Sequence, residues 1–174
     1  AIAEQLKATV QIRGDELYIF DIQVDKGEGR GVGDIWLTWA DLPPGSTEMD
    51  MCFRAFRLPV NEGLKAADLG DLPIEGIASG WARLGGPFSH LLLTGDVRVE
   101  DAQVYGLLLP AVASNLELDL ISNHLRLPEF RIAESQAQLY AGDPGPSGLL
   151  ALRGSMDMDL DRGTWVGSVQ GMVD

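Results

Sequence analysis

The sequence contains very little of the chemistry that metal sites and disulfides need. It has one cysteine, Cys52, and two histidines, His90 and His124, among 174 residues. A single cysteine excludes an internal disulfide and leaves the redox compartment open. The two histidines are far apart in sequence, and neither stands in a Cys/His/Asp spacing typical of a metal site. We therefore expect neither a metal centre nor a cofactor.

Long apolar runs and basic residues are also scarce. The longest apolar run, near residues 107–113, contains Pro110 and falls far short of the roughly 20 residues that cross a bilayer. The chain has 13 Lys and Arg against 26 Asp and Glu, a net charge of −13. This balance argues against nucleic acid as a partner and against simple electrostatic docking on anionic lipid.

No catalytic constellation is visible. Ser79, Ser89 and Ser135 do not stand at the strand-to-helix elbow that a hydrolase nucleophile needs. Carboxylate pairs such as Asp157 and Asp159 are expected by chance in so acidic a chain. The sequence therefore predicts a protein that is not an enzyme.

The chain contains several segments in which apolar and polar residues strictly alternate. This alternation runs through residues 5–13 (QLKATVQIR), 48–54 (EMDMCFR) and 91–100 (LLLTGDVRVE). A period of two is typical of a β-strand with one apolar face and one polar face. We expect an all-β chain whose apolar surface carries its function.

Short turns separate the expected strands, and they favour a meander of antiparallel neighbours. Alternation is lost over residues 57–76, where we expect a short helical turn and a local break. Residues 1–174 are expected to form one all-β segment excised from a longer repetitive protein. The expected strands are 4–13, 16–25, 31–40, 46–55, 77–84, 89–100, 102–109, 115–121, 124–132, 136–141, 148–153, 155–161 and 164–172.

Four glycines, at positions 27, 29, 31 and 33, recur at every second residue. A phosphate-binding loop would open into a helix, whereas this segment opens into an expected strand. We interpret the glycines as structural, at a bend or a narrow place in a sheet.

Residues 73–109 (PIEGIASGWARLGGPFSHLLLTGDVRVEDAQVYGLLL) resemble the repeat unit of the AsmA-like and TamB family of bacterial envelope proteins. The shared sequence pattern is a small-residue turn, then Gly-Pro, then an alternating strand that ends in Asp-Ala-x-Val-x-Gly. It is carried by Gly76, Ser79, Gly80, Gly86, Pro87, Leu93, Gly95, Val97, Val99, Asp101, Ala102, Val104 and Gly106. Weaker echoes of this pattern lie at 29–39 and 152–171.

The resemblance implies a long, twisted, mostly antiparallel sheet that curls into an open trough or solenoid, like a taco, with its apolar face inside. It implies a periplasmic segment of a protein anchored in the bacterial inner membrane. Its implied function is phospholipid transport between the inner and outer membranes and assembly of outer-membrane proteins. The implied partners are phospholipid acyl chains, adjacent β-segments of the same chain and an outer-membrane β-barrel assembly partner.

Alternation within such a trough selects a set of lining residues for the lipid groove. They are Leu6, Val10, Phe20, Met49, Met51, Leu91, Leu93, Val97, Leu116, Leu118, Leu127, Leu150, Leu152, Met156 and Met158.

Two alternatives stay open. The same alternation would arise in a closed β-sandwich, whose two sheets cover each other's apolar faces. The chain would also suit a structural scaffold of the envelope that pairs through its edge strands and carries no lipid.

Overall fold

A computed structural model describes residues 5–39, 47–66, 73–133, 139 and 151–172. Strands dominate it, as the alternation predicts, because a strand turns successive side chains to opposite faces. The elements are β1 (Gln5–Arg13), β2 (Glu16–Lys26), β3 (Gly29–Thr38), β4 (Glu48–Pro59), α1 (Val60–Ala66), β5 (Ile74–Pro87), β6 (Leu92–Val104), β7 (Leu107–Asp119), β8 (His124–Ala133), β9 (Ala151–Asp159) and β10 (Thr164–Met172).

All ten strands belong to one sheet, in the order of the chain from β1 to β10. Each strand pairs antiparallel with the next one along the chain, and β1 does not pair with β10. The predicted all-β meander with one short helical turn is therefore confirmed, and the sheet is open. The alternative of a closed sandwich is wrong for the described strands, since they form one sheet and not two.

Three predicted boundaries between strands are wrong. The sequence predicts separate strands at 89–100 and 102–109, whereas β6 continues to Val104 and turns at Tyr105 and Gly106. Asp101 lies inside β6 with a φ of 50°, at the point where the pairing of β6 with β5 changes register. β7 runs through Pro110, where the sequence predicts a gap between strands 102–109 and 115–121. The proline is tolerated because the pairing of β7 with β8 extends only as far as Ala111 and does not include Pro110. The predicted strand 136–141 lies outside the described residues, and the two predicted at 148–161 are a single strand, β9.

The predicted interruption at 57–76 contains the short helix α1, which lies against β4 and β5. Glu62 of this helix forms ion pairs with Lys65 at 3.5 Å and with Lys26 of β2 at 3.8 Å. The helix therefore sits at one end of the sheet and leaves the middle of the strands uncovered.

A packed core is almost absent from the described residues. No large side chain among them is fully buried, and the one buried apolar cluster consists of Ala111, Ala133 and Leu139. The solvent-accessible surface is 11170 Å², against about 8300 Å² for a compact protein of this mass. Both observations are those of a single layer open to solvent.

Candidate ligand-binding face

One face of the sheet carries an unbroken apolar row that crosses all ten strands. Residues that pair across strands lie on the same side of the sheet, so the register of strand pairing traces the row from edge to edge. We call this set the central row. It consists of Val10, Ile19, Ile35, Met51, Leu84, Leu93, Leu118, Leu125, Met158 and Trp165.

A second row runs parallel to the central row on the same face, which we call the apolar face. Most of its members are smaller, and three of the ten are glycines. We call it the small-residue row. It consists of Leu6, Val24, Gly31, Ala55, Gly80, Val97, Ser114, Phe130, Gly154 and Val169. The apolar face therefore extends over two continuous lanes, one bulky and one small.

Most of the predicted lining residues lie on the apolar face. Seven of them fall in the two rows: Leu6, Val10, Met51, Leu93, Val97, Leu118 and Met158. Alternation from those rows places five more on the same side: Met49, Leu116, Leu127, Leu152 and Met156. Leu91 precedes β6, two residues before Leu93, and Leu150 lies outside the described residues.

Phe20 departs from the prediction. It pairs with Thr9, one position out of step with the Val10–Ile19 pair, so alternation places it on the opposite face. The pairing changes register beside it, where Asp21 has a φ of 55° and its N–H donates to the Asp34 carboxylate. This bulge inserts one residue into β2 and restores Ile22 to the apolar face.

Half of the central row is absent from the predicted lining. Ile19, Ile35, Leu84, Leu125 and Trp165 are absent from the predicted lining, although each stands at the apolar position of an alternating segment. The alternation alone was enough to find them. Only the register shows that they line up with Met51 and Leu118.

Aromatic rings lie over glycines on the apolar face. A Cβ built on Gly31 would meet ring atoms of Phe53 as its three nearest neighbours, two of them at 3.0 Å. A Cβ on Gly33 would lie 2.8 Å from the same ring, and one on Gly154 would lie 2.6 Å from the Phe130 ring. Gly31 and Gly33 of β3 and Gly154 of β9 are therefore places where a ring from the neighbouring strand covers bare backbone, whereas Gly27 lies in the turn before β3 with a φ of 57°.

The opposite face, which we call the polar face, is charged. Arg83 donates two hydrogen bonds to Asp50, from Nε to Oδ1 at 2.9 Å and from Nη2 to Oδ2 at 2.7 Å. These bonds hold the pKa of Asp50 below its usual value, because they favour the ionised carboxylate. Arg126 lies between Glu117, at 3.7 Å, and Asp157, at 3.4 Å. The two faces thus differ sharply in the ligands that they suit.

The turn between β7 and β8 also has a defined acidic residue. The Asp119 carboxylate accepts N–H hydrogen bonds from Ile121 at 2.9 Å and from Ser122 at 3.1 Å. These backbone donors, Ser122 first, lower the pKa of Asp119. Asp119 pairs with His124 and Leu92, so it extends the polar face and not the apolar one.

The described residues offer no obvious place for a metal ion, since no group of three or more His, Cys, Asp or Glu side chains converges among them. The helix in that part of the chain is too short to cross a membrane. Leu118 of the central row is buried, the other side chains in the middle of the sheet are partly buried, and Val10 and Trp165 at its edges are exposed. The arrangement suits non-covalent binding of an elongated apolar ligand.

Comparisons with known proteins found no match among family models, curated proteins or solved structures. The functional interpretation therefore rests on the register and chemistry of the two faces.

Proposed function

We propose that the apolar face is a groove for the acyl chains of phospholipids. The chain would serve as a segment of a periplasm-spanning, bridge-like carrier of the AsmA-like and TamB type, which it resembles over residues 73–109. Such a protein is expected to be anchored in the inner membrane and to take part in phospholipid transport and outer-membrane protein assembly. One observation carries the proposal: the central row is apolar across ten strands, and no second layer covers it in the described part of the chain.

The dimensions of the apolar face favour an elongated ligand. Nine spacings of about 4.8 Å between ten strands give a lane about 43 Å long. Each methylene group that leaves water contributes up to about 0.8 kcal/mol. Four methionines, Met49, Met51, Met156 and Met158, lie on this face, and their flexible thioethers adapt to chains of varied shape.

The charge distribution supports the same proposal. Side chains such as Asp50, Arg83 and Arg126 lie on the polar face, away from the two apolar lanes. A net charge of −13 keeps copies of the protein dispersed. A sheet that must hold an uncovered apolar lane in water needs this repulsion, because large exposed apolar patches otherwise associate.

The test uses two adjacent leucines that face opposite ways. Leu93 belongs to the central row, whereas Leu92 pairs with Asp119 on the polar face. We expect Leu93→Gln to weaken binding of a phospholipid with a fluorescent acyl chain about fivefold to tenfold, since about 1.4 kcal/mol is a factor of ten. Leu92→Gln is the matched control and should leave the affinity unchanged. Equal effects of the two changes, with both variants folded by circular dichroism, would contradict the proposal.

A second candidate is a structural scaffold of the envelope without lipid cargo. The observation that favours it is the exposure of apolar side chains on both edge strands, such as Val10 of β1 and Trp165 of β10. Strand edges of this kind pair readily with other chains. The scaffold is preferred if the parent chain fails to bind the fluorescent phospholipid while it remains folded.

A further inference from the structure

Two of the four tryptophans of the chain lie on the polar face, among charged side chains. Trp36 of β3 is partly buried and pairs with Asp50 of β4. Trp81 of β5 pairs with Arg54 on one side and with Asp96 on the other. It is 46% exposed, and its indole N–H has no hydrogen-bond partner among the described residues. Trp81 therefore offers part of its ring and one N–H donor to a ligand.

Two shallow depressions of the polar face, each next to one of these tryptophans, share Thr94. The first has a volume of about 340 Å³ and is lined by Trp36 and Gly85. The second has a volume of about 600 Å³ and is lined by Trp81 and Asn115. Both volumes lie within the range of small-molecule sites, roughly 300–1,000 Å³. The two depressions together form one recessed surface in the middle of the sheet.

The strand register gives the length of this surface. Trp36 is level with Gly85, which lies two strands away. Trp81 lies four residues from Gly85 along β5. These offsets are about 10 Å and about 13 Å, so the Cα atoms of the two tryptophans are about 16 Å apart. A ligand that contacts both rings must be elongated.

Gly85 keeps the first depression open. It does not have a positive φ, and a Cβ added there would meet nothing closer than the carbonyl oxygen of Met49, at 3.6 Å. Alanine would fit at this position, and glycine inside a strand is less stable than alanine. Neither the backbone conformation nor the packing of the described residues requires glycine here. Its effect is to leave the surface above it clear for a ligand.

The charges around the two depressions are largely paired. Three carboxylates each have an arginine partner, with these distances between a guanidinium nitrogen and a carboxylate oxygen: Asp50 with Arg83 at 2.7 Å, Asp96 with Arg98 at 3.7 Å, and Glu117 with Arg126 at 3.7 Å. The paired groups cancel in charge and still provide many hydrogen-bond donors and acceptors. Glu48, which also lines the first depression, adds negative charge. The surface therefore suits an uncharged ligand with many hydroxyl groups better than an anion.

We propose that the polar face between Trp36 and Trp81 binds a neutral glycan, an extended chain of β-linked pyranose rings with equatorial hydroxyl groups. The C–H groups above and below such a ring carry slight positive charge and stack on the negative face of an indole. Its hydroxyl groups point outward from the ring, where they can bond to the ion-paired side chains, the Thr94 hydroxyl and the Asn115 amide. An extended chain of these rings has the length that the two tryptophans require.

The glycan surface is independent of the proposed acyl-chain groove. It lies on strands β3 to β7, away from both edges of the sheet, and on the opposite face from the central row. One segment of a longer sheet could therefore hold lipid on one face and glycan on the other. The inference goes beyond the proposed function and does not rest on it.

Isothermal titration calorimetry with cellohexaose, a neutral chain of six β-linked glucose rings, tests the glycan surface. The parent chain should bind it, and Trp81→Ala should weaken the binding about tenfold through loss of the stacked ring. Trp165→Ala is the matched control, since Trp165 is 68% exposed on the apolar face. This control should leave the affinity for cellohexaose unchanged.

Two further arms test the open depression and the preference for a neutral ligand. Gly85→Val should fill the first depression and weaken cellohexaose binding about fivefold. It should not lower the urea midpoint, because strands favour valine. The same hexaose oxidised to a carboxylate at every C6 should bind more weakly than cellohexaose at low ionic strength.

Each arm has a result that would overturn the inference. These are a folded parent chain that does not bind cellohexaose at millimolar concentration, equal losses in Trp81→Ala and Trp165→Ala, an unchanged affinity or a lowered urea midpoint in Gly85→Val, and equal or tighter binding of the oxidised hexaose. None of these titrations contains lipid, so their failure leaves the proposed acyl-chain groove untouched. Conversely, Trp81→Ala should bind the fluorescent phospholipid as the parent chain does.

Discussion

The contact between Phe53 and Gly31 predicts that the effect of Gly31→Ala on the stability of the protein changes sign when the Phe53 ring is removed. The Phe53 ring supplies the three atoms nearest to a Cβ on Gly31, so alanine at this position must displace the ring. Overpacking of this kind costs about 1–3 kcal/mol. Gly31→Ala in the parent chain should therefore lower the free energy of unfolding by about 2 kcal/mol.

Removal of the ring should reverse that effect. In a Phe53→Ala background the obstacle is gone, and alanine is favoured over glycine in a strand by about 0.5–1 kcal/mol. Gly31→Ala should then be neutral or slightly stabilising. The coupling energy between the two positions should be about 2–3 kcal/mol.

Urea unfolding of the parent, the two single variants and the double variant measures this coupling. Gly33→Ala is the matched control on the same strand. A Cβ added at Gly33 would lie 2.5 Å from the carbonyl oxygen of Cys52. This is a clash with the backbone, and Phe53→Ala does not relieve it. Additive effects of Gly31→Ala and Phe53→Ala, within about 0.5 kcal/mol, would refute the proposed role of the ring.

Two further stability predictions follow from burial and from charge. Phe130 is 8% exposed and Phe56 is 53% exposed. Phe130→Ala should therefore lower the free energy of unfolding in urea by about 3 kcal/mol, and Phe56→Ala should lower it by less than about 1 kcal/mol. Equal losses would contradict this use of burial. The Arg83 hydrogen bonds lower the folded pKa of Asp50 below 3.8, so their stabilisation is present above that pH and is lost as the pH falls through the folded value. Arg83→Gln should therefore lower the urea midpoint at pH 7, and the difference from the parent should vanish in stronger acid; a difference that persists there would contradict this account.

The sequence predicted the strands well because alternation is a local signal. Met51, Leu93 and Leu118 were assigned to one side from their immediate neighbours alone, and the register confirms that they share a face. The helical turn of α1 was found for the same reason, since alternation stops there.

Bulges account for several of the failures. Asp21 and Asp101 adopt positive φ inside strands, and nothing in an aspartate distinguishes that role from a place in a turn. The bulge beside Phe20 reverses its face, so strict counting assigned it to the wrong side. A bulge depends on the partner strand, which the local sequence does not contain.

The open face was also beyond the reach of the pattern. A sandwich and an open sheet have the same alternation, because both need one apolar face per strand. Only the pairing order from β1 to β10 and the lack of a second layer over the described strands separate them. Continuity of the central row likewise depends on nine registers at once, and alternation within one strand does not specify how that strand aligns with its neighbour.

Site-specific photocrosslinking tests most directly whether the apolar face holds lipid. A photoreactive phenylalanine analogue replaces Met51 in the central row or, as the control, Cys52, which is exposed on the polar face of the same strand. After illumination with phospholipid vesicles, intact-mass spectrometry reports covalent lipid adducts. Our account predicts adducts at position 51 and none at position 52. Equal labelling at the two positions, or labelling at position 52 alone, would contradict it.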